Sequence, residues 1–188
     1  DQKSPAPGTK GDEGASKAPP PPRGSWGDRF ELLVHFEINR PSDAKGRYRR
    51  PYVAVWVEDQ NGHAVRTLTL WISLGGAGPD QWLPELRRWY RGDEAHSQVE
   101  RKQMAYTIGR PTRPPGKYTV SWDGKDDHGQ PLGAGTYTIL IEAAREHGTY
   151  QLIRKQVTLA DQPFAEELKG NVEIKSATIE YRRKQPRR

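Results

Sequence analysis

The stretch from Trp122 to Ile139 limits the architectures open to this chain more than any other. It sets two alternating segments on either side of an Asp- and Gly-rich turn. Lys117 to Trp122 alternates Tyr118, Val120 and Trp122 against Lys117, Thr119 and Ser121, and Thr136 to Ala143 alternates Tyr137, Ile139, Ile141 and Ala143 against Thr136, Thr138, Leu140 and Glu142. A period of two marks half-buried strands. Between them, glycines supply positive φ and aspartates can cap backbone N–H groups. The expectation is an antiparallel hairpin, not a βαβ crossover.

Other strands follow the same rule. Phe30 to Ile38 places Leu32, Val34, Phe36 and Ile38 on one face. Pro51 to Asp59 is apolar on both faces, with Val53, Val55 and Val57 against Tyr52, Ala54 and Trp56, which predicts a central strand. Gln60-Asn61-Gly62-His63 reads as a type I′ hairpin turn leading into Val65 to Ile72. Tyr150 to Leu159 and Val172 to Tyr181 add two more strands, separated by a connection containing Pro163. Trp82, Leu86 and Trp89 recur at helical spacing, predicting one short helix over 84–91, with Pro84 in its first turn. Glu94 to Met104 has little periodicity and reads as loop or helix. The sum is an all-β, immunoglobulin-like antiparallel β-sandwich of about seven strands with one short helix inserted.

Residues 1–25 contain no aromatic residue, Leu, Ile or Val but ten Pro or Gly, so they have nothing to bury and read as a disordered linker. The folded domain is expected over 26–181, a length at which folding buries roughly 70% of the unfolded chain's surface, and residues 182–188 form a basic tail. The net charge of +6 is concentrated there. Arg182, Arg183, Lys184, Arg187 and Arg188 supply five positive charges and the leader about one, which leaves the domain near neutral. The tail is read as a solvated end with weak anion affinity, and no specific nucleic-acid partner is expected.

There is no cysteine, hence no disulfide, thiol nucleophile or thiolate metal site. No apolar stretch approaches the ~20 residues of a membrane span, so the chain is expected to have none of its own. A start at Asp1, ahead of a Pro/Gly-rich leader, suits a mature exported protein or a domain excised from a larger one.

Trp122-Asp123-Gly124, Asp126-Asp127, Gly129, Leu132 and Gly135-Thr136-Tyr137 resemble a hairpin in the immunoglobulin-like domain of flagellar hook-capping proteins. A wider resemblance runs through Arg50 to Asp59, Thr67 to Trp71, Arg113-Pro114-Pro115-Gly116-Lys117-Tyr118, the Trp-Asp-Gly run and Glu142 to Gly148. Together these look like a bacterial family of predicted periplasmic proteins of unknown function, found beside or fused to PepSY-type membrane proteins of iron acquisition and flavin-linked redox systems. The resemblance implies a periplasmic location in a Gram-negative bacterium and a membrane-embedded envelope partner. It carries no catalytic residues. The resulting expectation is a monomeric, non-enzymatic binding or accessory module of an iron-uptake or electron-transfer system. A flavin- or haem-carrying redox protein and a structural module of a surface appendage are the rivals.

Candidate sites are few. Asp123, Asp126 and Asp127 offer oxygens for a cation, but Lys125 and His128 break the calcium-loop spacing, so a structural turn is favoured. The histidines, His35, His63, His96, His128 and His147, show no paired ligand spacing, and no metal is assigned. Arg145, Glu146 and His147 place a cation, a carboxylate and an imidazole in one turn, a candidate ligand or partner site weighed against a hairpin polar network. Tyr106 to Thr112 ends in a threonine similar to the acceptor of flavin mononucleotide in covalently flavinylated envelope proteins. Tyr106 and Pro111 replace that signature's Asp and Ala, so Thr112 is retained as a candidate while no cofactor is assigned. Of six tryptophans, Trp56, Trp71 and Trp122 are expected in the core, and Trp82 and Trp89 on the helix face. Nucleophile elbow, phosphate loop and defined carboxylate pair are all missing, so catalysis is not expected.

Overall fold

The computed structural model describes residues 25–40, 42, 48–75, 81–92 and 95–185, with 95–98 described by backbone alone. The leader up to residue 24 and the tail from 186 onward lie outside the described residues, as does the side chain of His96. In chain order the elements are β1 (Phe30–Ile38), β2 (Tyr52–Glu58), β3 (Ala64–Ile72), α1 (Arg87–Arg91), α2 (Ala95–Ile108), β4 (Arg110–Pro111), β5 (Gly116–Trp122), β6 (Gly135–Ala144), β7 (Tyr150–Leu159), β8 (Phe164–Leu168) and β9 (Ile174–Arg183), with 3₁₀ turns at Trp26–Asp28 and Leu83–Glu85. They form a β-sandwich: a four-stranded sheet in the order β5-β1-β9-β8 faces a five-stranded sheet in the order β4-β3-β2-β6-β7. All seven expected strands are present. Two short ones escape period-two reading, the two-residue β4, parallel to β3, and the edge strand β8.

The alternation in β2 separates two cores. Val53, Val55 and Val57 point between the sheets with Leu32, Val34, Phe36, Ile139, Ile141 and Trp122. Tyr52, Ala54 and Trp56 point the other way, under a helical layer that supplies Leu83, Leu86, Trp89 and Ala105. Each fully buried side chain of this size contributes about 1.5–3 kcal/mol, so a strand buried on both faces is a central one. β2 does lie between β3 and β6.

Two buried carboxylates fasten the helical layer. Glu142 of β6 is fully buried, and its two oxygens accept the backbone N–H groups of Arg88 and Trp89, each at 2.8 Å. It thereby caps α1, which has no side-chain cap of its own. Glu58, 3% exposed, accepts Arg88 Nε and Nη2 at 3.0 Å and Trp56 Nε1 at 3.1 Å. The expected single helix is thus a 3₁₀ turn plus α1, and the stretch after Glu94 forms a second helix, α2.

The structure corrects the expected Trp122 to Ile139 hairpin. β5 pairs with β1 in the four-stranded sheet, whereas β6 pairs with β2 and β7 in the other. The segment crosses between sheets, and its twelve-residue connection is too long for a tight turn. Trp122 is fully buried at the crossing, edge-on to Trp26 at 4.8 Å and Tyr137 at 5.3 Å, with its Nε1 donating to Lys125 O at 2.8 Å. The aspartates hold the loop. Asp126 Oδ1 accepts from His128 N and Gln130 N at 2.9 and 2.8 Å, and Asp127 Oδ1 accepts Thr67 N at 3.0 Å, docking the loop on β3. Gly124, at φ +82°, packs on Gly27, where a Cβ would lie 1.9 Å from Asp123 O. Backbone meets backbone there, so the site excludes any side chain.

Two smaller features refine the reading. The turn after β2 is type I with a left-handed Gly62 (φ +82°), not type I′, because Asp59 Oδ1 takes the N–H groups of Asn61 and His63 and holds Asn61 at negative φ. Tyr118 donates to Pro114 O at 2.6 Å and Tyr137 to Gly133 O at 2.7 Å, so two tyrosine corners begin β5 and β6. β9 continues to Arg183, with Glu31 opposite Arg182, so the expected tail begins as strand.

Candidate functional site

At one end of the five-stranded sheet, a groove of about 750 Å³ opens between the segment leading into β2, the start of the helical layer and the β6–β7 turn. Its wall is aromatic, formed by Tyr48, Tyr52 and Trp82. Each is placed by a different element: Tyr48 before β2, Tyr52 as its first residue, and Trp82 at the 3₁₀ turn that opens the helical layer.

Of the four candidate residues, Thr112 and Glu146 line this groove. Thr112 follows β4; its N–H donates to Ile72 O at 3.2 Å and its carbonyl accepts Arg50 Nη1 at 3.4 Å. Glu146 pairs with Arg49, which closes the groove on the β6–β7 side. His147 stands at the rim, with Nε2 3.7 Å from Glu146 Oε1 and its ring edge-on to Trp82 at 5.5 Å between centroids. Its side chain is 77% exposed, and it has a left-handed backbone (φ 51°), alone in this among the described non-glycine residues. That conformation costs an L-residue roughly 1–2 kcal/mol, which the exposed ring does not repay through packing.

Arg145 faces away from the groove. Its Nε donates to Glu173 Oε1 at 3.0 Å, the two side chains being 12% and 0% exposed. Thr149 donates its hydroxyl to the same oxygen. The Arg145 guanidinium lies 5.8 Å from the Tyr48 ring, with Arg40 at 5.4 Å from that ring. Burial, and then the Glu173 charge, hold the Tyr48 phenol above its usual value. Arg145 thus anchors the turn from behind within the expected polar network, while Glu146 lines the groove and His147 stands at its rim.

Three features of the site carried no sequence signal strong enough to be chosen. By sequence, Arg49 and Arg50 together form part of a basic connection, Tyr52 reads as a strand-face residue and Trp82 as a helix-face residue. The hydroxyl of Tyr52 is buried beside Ser73 at the groove. Arg50 is exposed and has no carboxylate partner among the described residues. A half-exposed indole, an exposed guanidinium without an ion pair and a buried phenol suit a planar or aromatic group carrying an anionic or hydrogen-bonding edge. Among the described residues the Thr112 hydroxyl makes no hydrogen bond to a base.

The other described histidines do not converge on it. His35 lies on the outer face of the four-stranded sheet, between Thr119 Oγ1 at 2.8 Å and Glu180 Oε2 at 3.2 Å, and His63 and His128 sit in separate loops. Among the described residues no three acidic or histidine side chains gather as a metal set, and no helix is long and apolar enough to cross a membrane.

No curated protein and no solved structure matches the chain. A family profile does, over residues 31–176, which takes in the helical layer, every groove residue and all the strands but most of β9. Its description agrees with the compartment expected from the sequence: the chain belongs to the family described as predicted periplasmic protein (DUF2271).

Proposed function

We propose that this periplasmic domain is a non-enzymatic binding or accessory module of the cell envelope, and that it engages its ligand or a membrane-embedded partner through the groove at Trp82. The observation that carries this reading is convergence. Thr112, Glu146 and His147 come from segments more than 30 residues apart, yet meet around one aromatic wall. A service to iron uptake or flavin-linked electron transfer is suggested by the resemblance to proteins found beside PepSY-type membrane proteins.

Two variants test the groove without disturbing the fold. His147→Gly places in the left-handed position the residue that tolerates it, so the melting temperature is expected to hold or rise, by up to about 1 kcal/mol in stability. Arg50→Glu changes an exposed side chain and is expected to stay within about 0.5 kcal/mol of the parent. Both should lose a partner that the parent chain crosslinks in envelope extract. Retention of every partner by both variants would sink the groove as the docking site. Visible absorbance of protein purified from its own periplasm, lost in Thr112→Ala, would replace this reading by that of a flavin carrier.

A further inference from the structure

A second cleft, of about 830 Å³, lies between α2, β3 and the loop that crosses the sheets, and it holds a buried arginine with no ion pair among the described residues. Arg101 of α2 is only 7% exposed. Its guanidinium lies over the Trp89 ring at 5.2 Å, Nη1 reaches Met104 Sδ at 3.3 Å, and Nε has no partner. No carboxylate lies within ion-pair distance among the described residues. Arg66 of β3 lines the same cleft; its Nη1 donates to Asp126 O at 2.8 Å, and its buried Nε is likewise without a partner.

Magnitudes decide what this means. Withdrawing a guanidinium from water without an anion costs several kcal/mol. A cation–π contact returns about 0.5–2 kcal/mol, and a thioether is a weak acceptor. Asp127 is the carboxylate whose charge reaches both arginines, but it is solvent-exposed and its Oδ1 is taken by Thr67 N. Glu100, at the mouth, is exposed as well. The lining as a whole is balanced, with Arg66, Arg101 and Arg110 against Glu100, Asp126 and Asp127, but Arg101 is the buried member and makes no ion pair with any described carboxylate. Burial accordingly holds Arg101 below its ordinary value against the pull of Asp127, Glu100 and Glu58. Beside this charge, Leu68, Met104 and Ile108 leave apolar surface partly uncovered along the cleft.

We infer that the cleft between α2 and β3 binds an organic monocarboxylate, its head between Arg101 and Arg66 and its apolar body along Leu68, Met104 and Ile108. One charge suits the one buried guanidinium that lacks an ion pair among the described residues; a dianion would meet the field of Asp126, Asp127 and Glu100. The site is separate from the groove at Trp82 and does not depend on it.

Thermal melting of the full chain with decanoate below its micellar range, with acetate and with inorganic phosphate tests this. Decanoate is expected to raise the melting temperature saturably, with acetate and phosphate binding at least tenfold more weakly. Arg101→Met, which keeps the volume and removes the charge, should melt no lower than the parent and bind decanoate at least tenfold more weakly. Arg66→Gln supplies the same test should Arg101→Met fail to fold. Arg50→Glu should leave the response unchanged. The inference is overturned by no saturable shift with decanoate, by an equal response in the arginine variants, or by acetate matching decanoate.

Discussion

Replacing Arg145 by methionine is expected to lower the unfolding free energy by about 3–5 kcal/mol, the cost of leaving one member of a buried ion pair alone. Glu173, fully buried, would keep a carboxylate whose Oε2 already lacks a partner, supported only by the Thr149 hydroxyl. The loss should appear as a lower urea midpoint with an unchanged slope. The double variant Arg145→Met/Glu173→Leu removes both charges and should recover most of the stability, because hydrophobic replacement of a buried pair is often neutral or favourable. Since Arg145 also closes the turn through its backbone N–H to Thr149 O at 3.1 Å, which a side-chain change leaves in place, the double variant should still crosslink its envelope partner. A double variant that is stable yet loses the partner would show that Arg145 acts at the groove and not behind it.

The two faces of β2 show what a sequence makes legible. Alternation reports which side of a strand is buried, and Val53, Val55 and Val57 against Tyr52, Ala54 and Trp56 report it correctly. Alternation does not say which strand lies alongside. Lys117 to Trp122 and Thr136 to Ala143 have the pattern of a hairpin, but their partners, β1 for one and β2 and β7 for the other, are chosen by the two tyrosine corners and by the Gly27 and Gly124 contact that turn the chain across the sandwich. α2 was obscure for a different reason. Arg101 occupies a buried position one turn before Ala105, while Val99 and Tyr106 are exposed, so the helix lacks the apolar stripe that reveals one. The same misplaced charge marks the cleft.

The groove was half legible. Arg145 to His147 stood out because a turn seldom gathers a cation, a carboxylate and an imidazole without reason, and Thr112 because of a resemblance. Tyr48, Arg50 and Trp82 reach the groove from about 30 to 100 residues away in the chain. Only the sheet order, with β3 and β6 flanking β2, brings their segments together.

Glu142→Ala is expected to cost about 3 kcal/mol or more, because it orphans two buried backbone donors at once, each worth about 1–3 kcal/mol when left unsatisfied. The N–H groups of Arg88 and Trp89 both donate to this carboxylate, with the Tyr150 hydroxyl beside the Arg88 N–H. The damage should be local at first: amide exchange at Arg88 and Trp89 should accelerate more than in the sheets, and tryptophan emission should shift red as Trp56 and Trp89, now 1% exposed, meet water. Glu142→Gln keeps one acceptor and should lose about half as much. The pH dependence has a definite sign. Burial is the largest influence on Glu142 and raises its carboxyl above the usual 4.5, against the opposing pull of the Arg88 and Trp89 hydrogen bonds. A folded-state value above the unfolded one means that the native state binds this proton more tightly. The resulting stability is fully present below 4.5 and is lost as pH rises through the folded value. Relative to Glu142→Gln, the parent chain should therefore gain stability on acidification from neutrality toward pH 4.5, and the difference should be flat in alkaline solution. Parallel curves for the two proteins would mean that hydrogen bonding balances burial at Glu142, and a loss of stability on acidification that it outweighs burial. Because Trp82 and Glu85 enter the groove from the 3₁₀ turn just ahead of α1, uncapping this helix should also weaken binding at the groove. His147→Gly should not reproduce that linked loss of stability and binding.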